Sequence, residues 1–434
     1  MSAVSDVRKM FGGGTSAGRQ FGMVFVLAAI LVLFNWRTHG LTLSSPNIIN
    51  MGAQYSYILI LAIGMVMVII AGHIDLSVGS VAAFTGIAVA LLIKDHHLPW
   101  WQAVLAGLAI GALIGAWQGF WVAIVGVPAF IVTLAGMLIF RGGNQYLGNS
   151  TAAPVPNDFQ KIGSGYLPSF GPDTGKNNWT LVIGLVLFLA IVVRELQLRR
   201  VQSNLHSTMA PLWVSGLKLV ILGSIIGYAT LLFAGGRAGT SIPISGLILA
   251  VLVVIYSYIA RNTIIGRNVY AVGGNGMAAK LSGVNTRRVN FLVMTNMGML
   301  AGLAGMIFVA RSGASGAQDG LGWELDAIAA VFIGGAAISG GVGTVIGSIV
   351  GGLVMAVLNN GLNLLSVGSD RTQIIKGLVL LAAVALDVYN KNQGRPSLIG
   401  LMTNRFRADQ PLPVQATPMG TPAAEIPVEV ETRS

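Results

Sequence analysis

The chain has no cysteine. Disulfides, zinc-thiolate sites and catalytic thiols are therefore excluded. Charge is almost as scarce. Asp, Glu, Lys and Arg make up 9% of 434 residues, against about 25% in an ordinary soluble domain. Histidine occurs five times, never at metal-ligand spacing, so no metal site is expected. No GxxxxGK[ST] phosphate-binding sequence occurs, so any ATP machinery belongs to another chain. The few acidic residues are dispersed, which argues against a membrane enzyme with a clustered catalytic pocket.

What fills the chain instead is apolar sequence: 54% of residues are hydrophobic and the mean hydropathy is +0.75. Uncharged stretches of about 20 residues span a bilayer core. The composition predicts an all-α polytopic membrane protein. The net charge of +11 then reads as the excess of Lys and Arg in cytoplasmic loops, with no nucleic-acid partner.

Apolar segments fall near 21–34, 48–72, 78–93, 102–125, 128–141, 179–193, 212–234, 243–260, 290–310, 324–339, 343–360 and 372–389. The expectation is about 12 transmembrane helices, with 128–141, 179–193 and 324–339 short, tilted or broken. With the N-terminus inside, cytoplasmic segments fall at 1–19, 194–218, 261–289 and 390–434. These hold 17 of the 26 Lys and Arg, which predicts that both termini are cytoplasmic. The expected division is a cytoplasmic segment 1–19, a membrane domain 20–390 and a disordered tail 391–434, which is Pro-rich and nearly free of aromatics.

Glycine is abundant, 58 residues, and recurs every four positions at Gly107, Gly111, Gly115 and Gly119, and at Gly343, Gly347 and Gly351. That spacing lets a neighbouring backbone approach one helix face. Tight packing accounts for it; a ligand-lined or moving helix is the alternative.

Four polar constellations interrupt the apolar sequence. In "GHIDLSVGS", Asp75 and Ser77 precede an apolar run, where Asp or Ser caps a helix; direct substrate contact is the other reading. Both imply a broken helical path. In "NNGLNLLSVGS", Asn359, Asn360 and Asn363 suit hydroxyl recognition, or serve as caps and turns. Glu324 and Asp326 open a short segment, where acids favour the helix dipole; a proton relay is the alternative. In "GGNGMAAKLSGVNTRRV", Met277, Ala278, Leu281 and Val284 share one face of a short helix capped by Asn275. Lys280, Asn285 and Arg287 lie off that face. The stripe fits either a groove on a partner or the lipid interface.

With "TLAGMLIFRGG" and "ELDAIAAVFIGGAAISGGVGT", these motifs occur in order over residues 20–390, and together the chain resembles the monosaccharide ABC importer permeases. The resemblance implies a ten-helix permease core with a two-helix insert at 179–234. It implies a homodimer in the bacterial inner membrane, fed by a periplasmic sugar-binding protein and driven by a cytoplasmic ATPase with tandem nucleotide-binding domains. No cofactor or catalytic residue is expected in the permease itself.

The family's ATPase-facing loop, within 261–289, falls on Asn275, Gly276, Met277, Ala278, Ala279, Lys280, Leu281, Ser282, Gly283, Val284 and Asn285, which favours the coupling reading. His73, Asp75, Ser77, Asn359, Asn360 and Asn363 are the candidates for the translocation path. His73 stands where the family usually has Gly. The insert is similar to the xylose and multiple-sugar branch, so a pentose such as xylose is the expected substrate. A branched-chain amino acid permease is the alternative. A secondary transporter is disfavoured, because the acidic residues fall at span ends.

Overall fold

The computed structural model describes residues 15–148, 153–172, 175–204, 212–236 and 239–391. The expected tail from 392 onward and residues 1–14 of the N-terminal segment lie outside the described residues. Fifteen helices carry almost all of what is described. They are α1 (Thr15–Arg37), α2 (Ser45–Ile70), α3 (Val78–His96), α4 (Trp100–Gly119), α5 (Ala129–Gly148), α6 (Asn157–Ser164), α7 (Asn178–Asn204), α8 (Leu212–Ala234), α9 (Ile244–Asn262), α10 (Ile264–Gly274), α11 (Gly276–Leu281), α12 (Thr286–Ser312), α13 (Trp323–Ile333), α14 (Val345–Leu364) and α15 (Ser369–Lys391). A π-helical turn, Phe120–Val125, extends α4. One two-residue strand pair, β1 (Ala153–Pro154) and β2 (Ala314–Ser315), joins two loops in antiparallel register.

The expectation of about 12 membrane-spanning helices is corrected. Among the described residues, eight helices are long and apolar enough to cross a membrane: Ser45–Ile70, Val78–His96, Trp100–Val125, Asn178–Val201, Leu212–Ala234, Ile244–Asn262, Thr286–Ser312 and Val345–Leu364. The other four apolar segments fall short for separate reasons. In α1 the apolar stretch among the described side chains is Met23–Arg37. α5 has 20 residues, but its last two turns hold Arg141, Asn144 and Gln145. α13 has 11 residues, about 16 Å at 1.5 Å per residue against a core of roughly 30 Å. In α15 the described side chains run over 369–385 and include Asp370, Arg371 and Lys376.

α2 is buried on nearly every side and forms the axis of the core, as expected for a helix that is apolar all round. α12 packs against α2, α3 and α4. The glycine ladder of α4 makes this possible. A Cβ at Gly111 would meet the Gly298 carbonyl, and one at Gly115 would come 2.5 Å from the Met294 carbonyl. Gly347 and Gly351 of α14 likewise face the backbone of Ala330 and Gly334, at the end of α13. Tight packing therefore accounts for both ladders.

The insert forms a hairpin of α7 and α8. Lys218 pairs with Glu195 at 2.7 Å, and the Ser215 hydroxyl donates to Glu195 Oε1 at 2.6 Å. Most of its apolar surface, including Leu185, Leu189, Val220 and Ile225, is exposed. Such a surface belongs in lipid or against another membrane helix.

Loops gather at two ends. At one, the Gly341 N–H donates to the Ile70 carbonyl at 2.8 Å, and the Tyr270 hydroxyl donates to the Gly343 carbonyl at 2.7 Å. Met23 of α1 lies beside Gly335 there. At the other end, the Val155 N–H donates to Gly313 at 3.0 Å and the Ile244 N–H to Gly165 at 2.9 Å.

Candidate functional site

The helical path breaks after Ile70. Ala71 and Gly72 end α2, Gly72 with φ +86°, and the chain runs without regular structure to Ser77. Asp75 is 2% exposed. Its Oδ1 accepts the Ser77 N–H at 2.8 Å and the Ser77 hydroxyl at 2.6 Å. This is an Asx turn just before the helix. Ser77 is the N-cap residue, although its side chain caps no N–H of α3. Asp75 thus shapes the start of α3 from two residues upstream. Gln118 of α4 donates to Ser77 Oγ at 2.7 Å, so a polar chain runs from Gln118 through Ser77 to Asp75.

His73 belongs to the same break. Among the described residues its buried Nε2 has no hydrogen-bond partner, nor has Oδ1 of Asn290 on α12, which stands beside it.

α13 begins against the start of α3. A Cβ at Gly79 would meet Glu324 Oε2, and would lie 2.5 Å from the Gly320 carbonyl. Two helix N-termini therefore meet inside the bundle, each with unsatisfied N–H groups and a positive dipole end. Glu324 Oε1 pairs with Arg141 of α5 at 3.3 Å. Two residues on, Asp326 pairs with Lys376 of α15 at 2.7 Å. Each acid of α13 thus ties it to a different helix. Asn144, one turn beyond Arg141, donates to the carbonyls of Gly316 and Ala317 at 3.2 and 3.0 Å. Nearby, Asp319 accepts the Gly316 N–H at 2.7 Å; burial pushes its carboxyl above the ordinary aspartate range, and this bond partly offsets the effect.

The three asparagines of α14 do not join this group. Asn360 exchanges two hydrogen bonds with Asn47 of α2, at 2.9 and 3.0 Å. Asn359 is half-buried and Asn363 exposed. They lie at the opposite end of α14 from Gly347, about 20 Å away by helical rise. Gln118, Arg141 and Asn144 are not among the sequence candidates. The sign that could have found them is a polar letter inside an apolar run, as in "IGAWQGFWV".

The loop after α9 folds as two short helices. Asn275 caps α11, accepting the Ala278 N–H at 2.9 Å, and Asn285 caps α12, accepting the Arg288 N–H at 3.0 Å. Met277 is 69% exposed and Leu281 83%; Ala278, Lys280, Ser282 and Gly283 are also exposed. Ala279 is buried, and Val284 turns inward against the core. The exposed stripe is therefore Met277, Ala278 and Leu281, without Val284. At the root of the loop, Gly273 fits so closely that a Cβ there would overlap the Ile70 carbonyl and reach 2.8 Å from the Gly341 nitrogen. The loop thus abuts both the break that carries Asp75 and the turn that follows α13.

Comparison with known proteins places this architecture. The family described as "Branched-chain amino acid transport system / permease component" matches residues 47–384. The xylose transport system permease protein XylH of Haemophilus influenzae is 38% identical over 372 residues, 86% of this chain and 96% of that protein. XylH of Escherichia coli K12 is 37% identical over 374 residues, covering 86% and 92%. The ribose import permease protein RbsC of the same organism is 34% identical over 374 residues, covering 86% and 94%. No solved structure matches. These relatives are transport permeases and not catalytic enzymes, and the chain belongs to their family, as a multi-pass inner-membrane permease subunit of a sugar ABC importer of the xylose and ribose type.

Proposed function

We propose that the chain moves a pentose, xylose in particular, and that its 275–285 loop receives the stroke of a cytoplasmic tandem-domain ATPase. A periplasmic sugar-binding protein delivers the sugar, and two copies of the permease form the path. Both termini face the cytoplasm. The observation that carries this reading is the exposed Met277–Leu281 stripe on a loop whose Gly273 touches the Ile70 break and Gly341 directly. A displacement of the loop cannot leave those two segments where they are, because packed backbones have no slack to absorb it. The break leads to Asp75 and Ser77, and Gly341 leads back to α13. The driven elements are thus those at which two helices begin inside the bundle. His73 and Asn290 face each other beside the same break and belong to the moving part.

The test is uptake into proteoliposomes holding the permease, its ATPase and its binding protein. Labelled D-xylose should accumulate only with ATP inside and binding protein outside. Accumulation driven by a proton gradient without ATP would reject the coupling reading. ATP-driven uptake of leucine and not of xylose would reject the sugar.

A further inference from the structure

We propose that the junction of the α3 and α13 N-termini is a hydroxyl-binding station, at which Asn144 and Glu324 hold a neutral sugar during its passage. This rests on the reading that a pentose crosses this chain.

Two acceptors, one on Glu324, which pairs with Arg141, and one on Asn144, a turn further along α5, are buried and have no partner among the described residues. Asn144 is 1% exposed, and its Oδ1 accepts nothing while its amide donates to two carbonyls. Glu324 is 7% exposed; its Oε1 meets Arg141, but its Oε2 is unpartnered and aimed at Gly79 in the first turn of α3. Buried polar atoms are nearly always satisfied, so an orphan calls for an explanation. Two orphan acceptors beside one arginine form a complementary set for a polyol. Sugar hydroxyls donate to the acceptors, and hydroxyl oxygens accept from the guanidinium. Ser77 and Gln118 extend the polar wall.

The charge balance selects the class of ligand. Arg141 and Glu324 already neutralise one another, so a charged ligand would find no free counter-ion, whereas a neutral polyol needs none. Phe84 and Phe140, with ring centroids 5.5 Å apart, and Trp117 at 6.1 Å from Phe140, add an apolar surface for the C–H face of a sugar ring. A side chain at Gly142, next to Arg141, would meet nothing within 4 Å.

The chain's lack of cysteine supplies the experiment. In the complete reconstituted importer, Gly142→Cys should react with a maleimide, and D-xylose under turnover should slow that reaction. In the same importer Asn144→Leu should lower xylose moved per ATP by about tenfold, the worth of one hydrogen bond. ATPase co-purification should stay unchanged, whereas thermal stability should fall modestly, because the Gly316 and Ala317 carbonyls lose their donor. Glu324→Gln, which keeps an acceptor but loses the charge, should fall between. If xylose leaves Gly142→Cys labelling unchanged while the parent importer transports it, the station is wrong and the permease reading stands. The station is equally wrong if Asn144→Leu transports like the parent. If Asn144→Leu fails to assemble, the labelling result decides alone. If the parent importer carries neither D-xylose nor D-ribose, the pentose reading fails and takes the station with it.

Discussion

At the residue scale, Asp75 shows how a buried acid can be tolerated without a base. Among the described residues no cation pairs with it; it is satisfied by the N–H and hydroxyl of Ser77. The residue pattern of "GHIDLSVGS" makes a helix start legible, but not the Asx turn, nor Gln118 arriving from another helix. Asp75→Asn keeps the Oδ1 acceptor and should retain uptake within about tenfold, whereas Asp75→Leu leaves two Ser77 donors unpaired, at about 1–3 kcal/mol each, and should abolish it. Uptake measured against permease level in the membrane checks this; equal loss in both at normal level would mean that the charge itself is needed. Asn360 makes the opposite lesson. Its partner Asn47 lies 313 residues away, so no local pattern could reveal that it is a lock. Asn360→Leu alone should destabilise the solubilised protein by about 1–3 kcal/mol by orphaning Asn47, and Asn47→Leu added to it should recover part of that loss. A melting curve for each variant reads the difference. Loss of uptake in Asn360→Leu with no loss of stability would instead return Asn360 to the sugar path.

At the element scale, the legible parts are those that one helix determines by itself. The glycine ladders announce close packing, and "NGMAAKL" announces a capped helix with an apolar stripe. α13 reads as a span in the sequence because its letters stay apolar through 324–339. The helix stops at Ile333 because Gly335, at φ +81°, turns the chain and the Gly334 backbone must meet Gly347. Hydropathy carries no information about where a helix ends. Periodicity assigns Val284 to the stripe, yet α11 ends at Leu281 and the period ends with it. Two variants separate docking from transmission. Burying a Leu-sized side chain contributes about 1.5–3 kcal/mol, so Leu281→Asp should weaken ATPase binding by roughly one to two powers of ten, while exposed Lys280→Ala should do much less. Gly273→Val lies under the loop, where a side chain would strike the Ile70 and Gly341 backbones. It should keep the ATPase bound but cut transport per ATP by about tenfold or more, since overpacking forces the backbones apart. Co-purification together with sugar-stimulated hydrolysis distinguishes the two. Full ATPase retention and full uptake in Leu281→Asp would favour the lipid-interface reading of α11.

At the scale of the whole molecule, charge orients the bundle independently of how many helices cross it. Residues 261–289 hold Arg261, Arg267, Lys280, Arg287 and Arg288 and no acid, whereas 142–178 hold Asp158, Lys161, Asp173 and Lys176, with no net charge. Contacts put these two segments at opposite ends: Gly273 abuts Ile70 and Gly341, while Val155 and Gly165 bond to Gly313 and Ile244. Positive residues are retained on the cytoplasmic side, and loops of this length fall within the range in which that bias acts. The end with the 275–285 loop should therefore face the cytoplasm, where an ATPase can reach Met277 and Leu281. Met23 lies at this same end, beside Gly335, so the N-terminus should be cytoplasmic as well. An alkaline phosphatase reporter, active only outside the cytoplasm, should be active when fused after Pro168 and silent after Gly283. A fluorescent protein that matures only in the cytoplasm should give the reverse pattern at the same two sites. If phosphatase is active after Gly283 and silent after Pro168, the bundle is inverted. The exposed stripe would then face away from any cytoplasmic ATPase, and the coupling assignment would fall with the orientation.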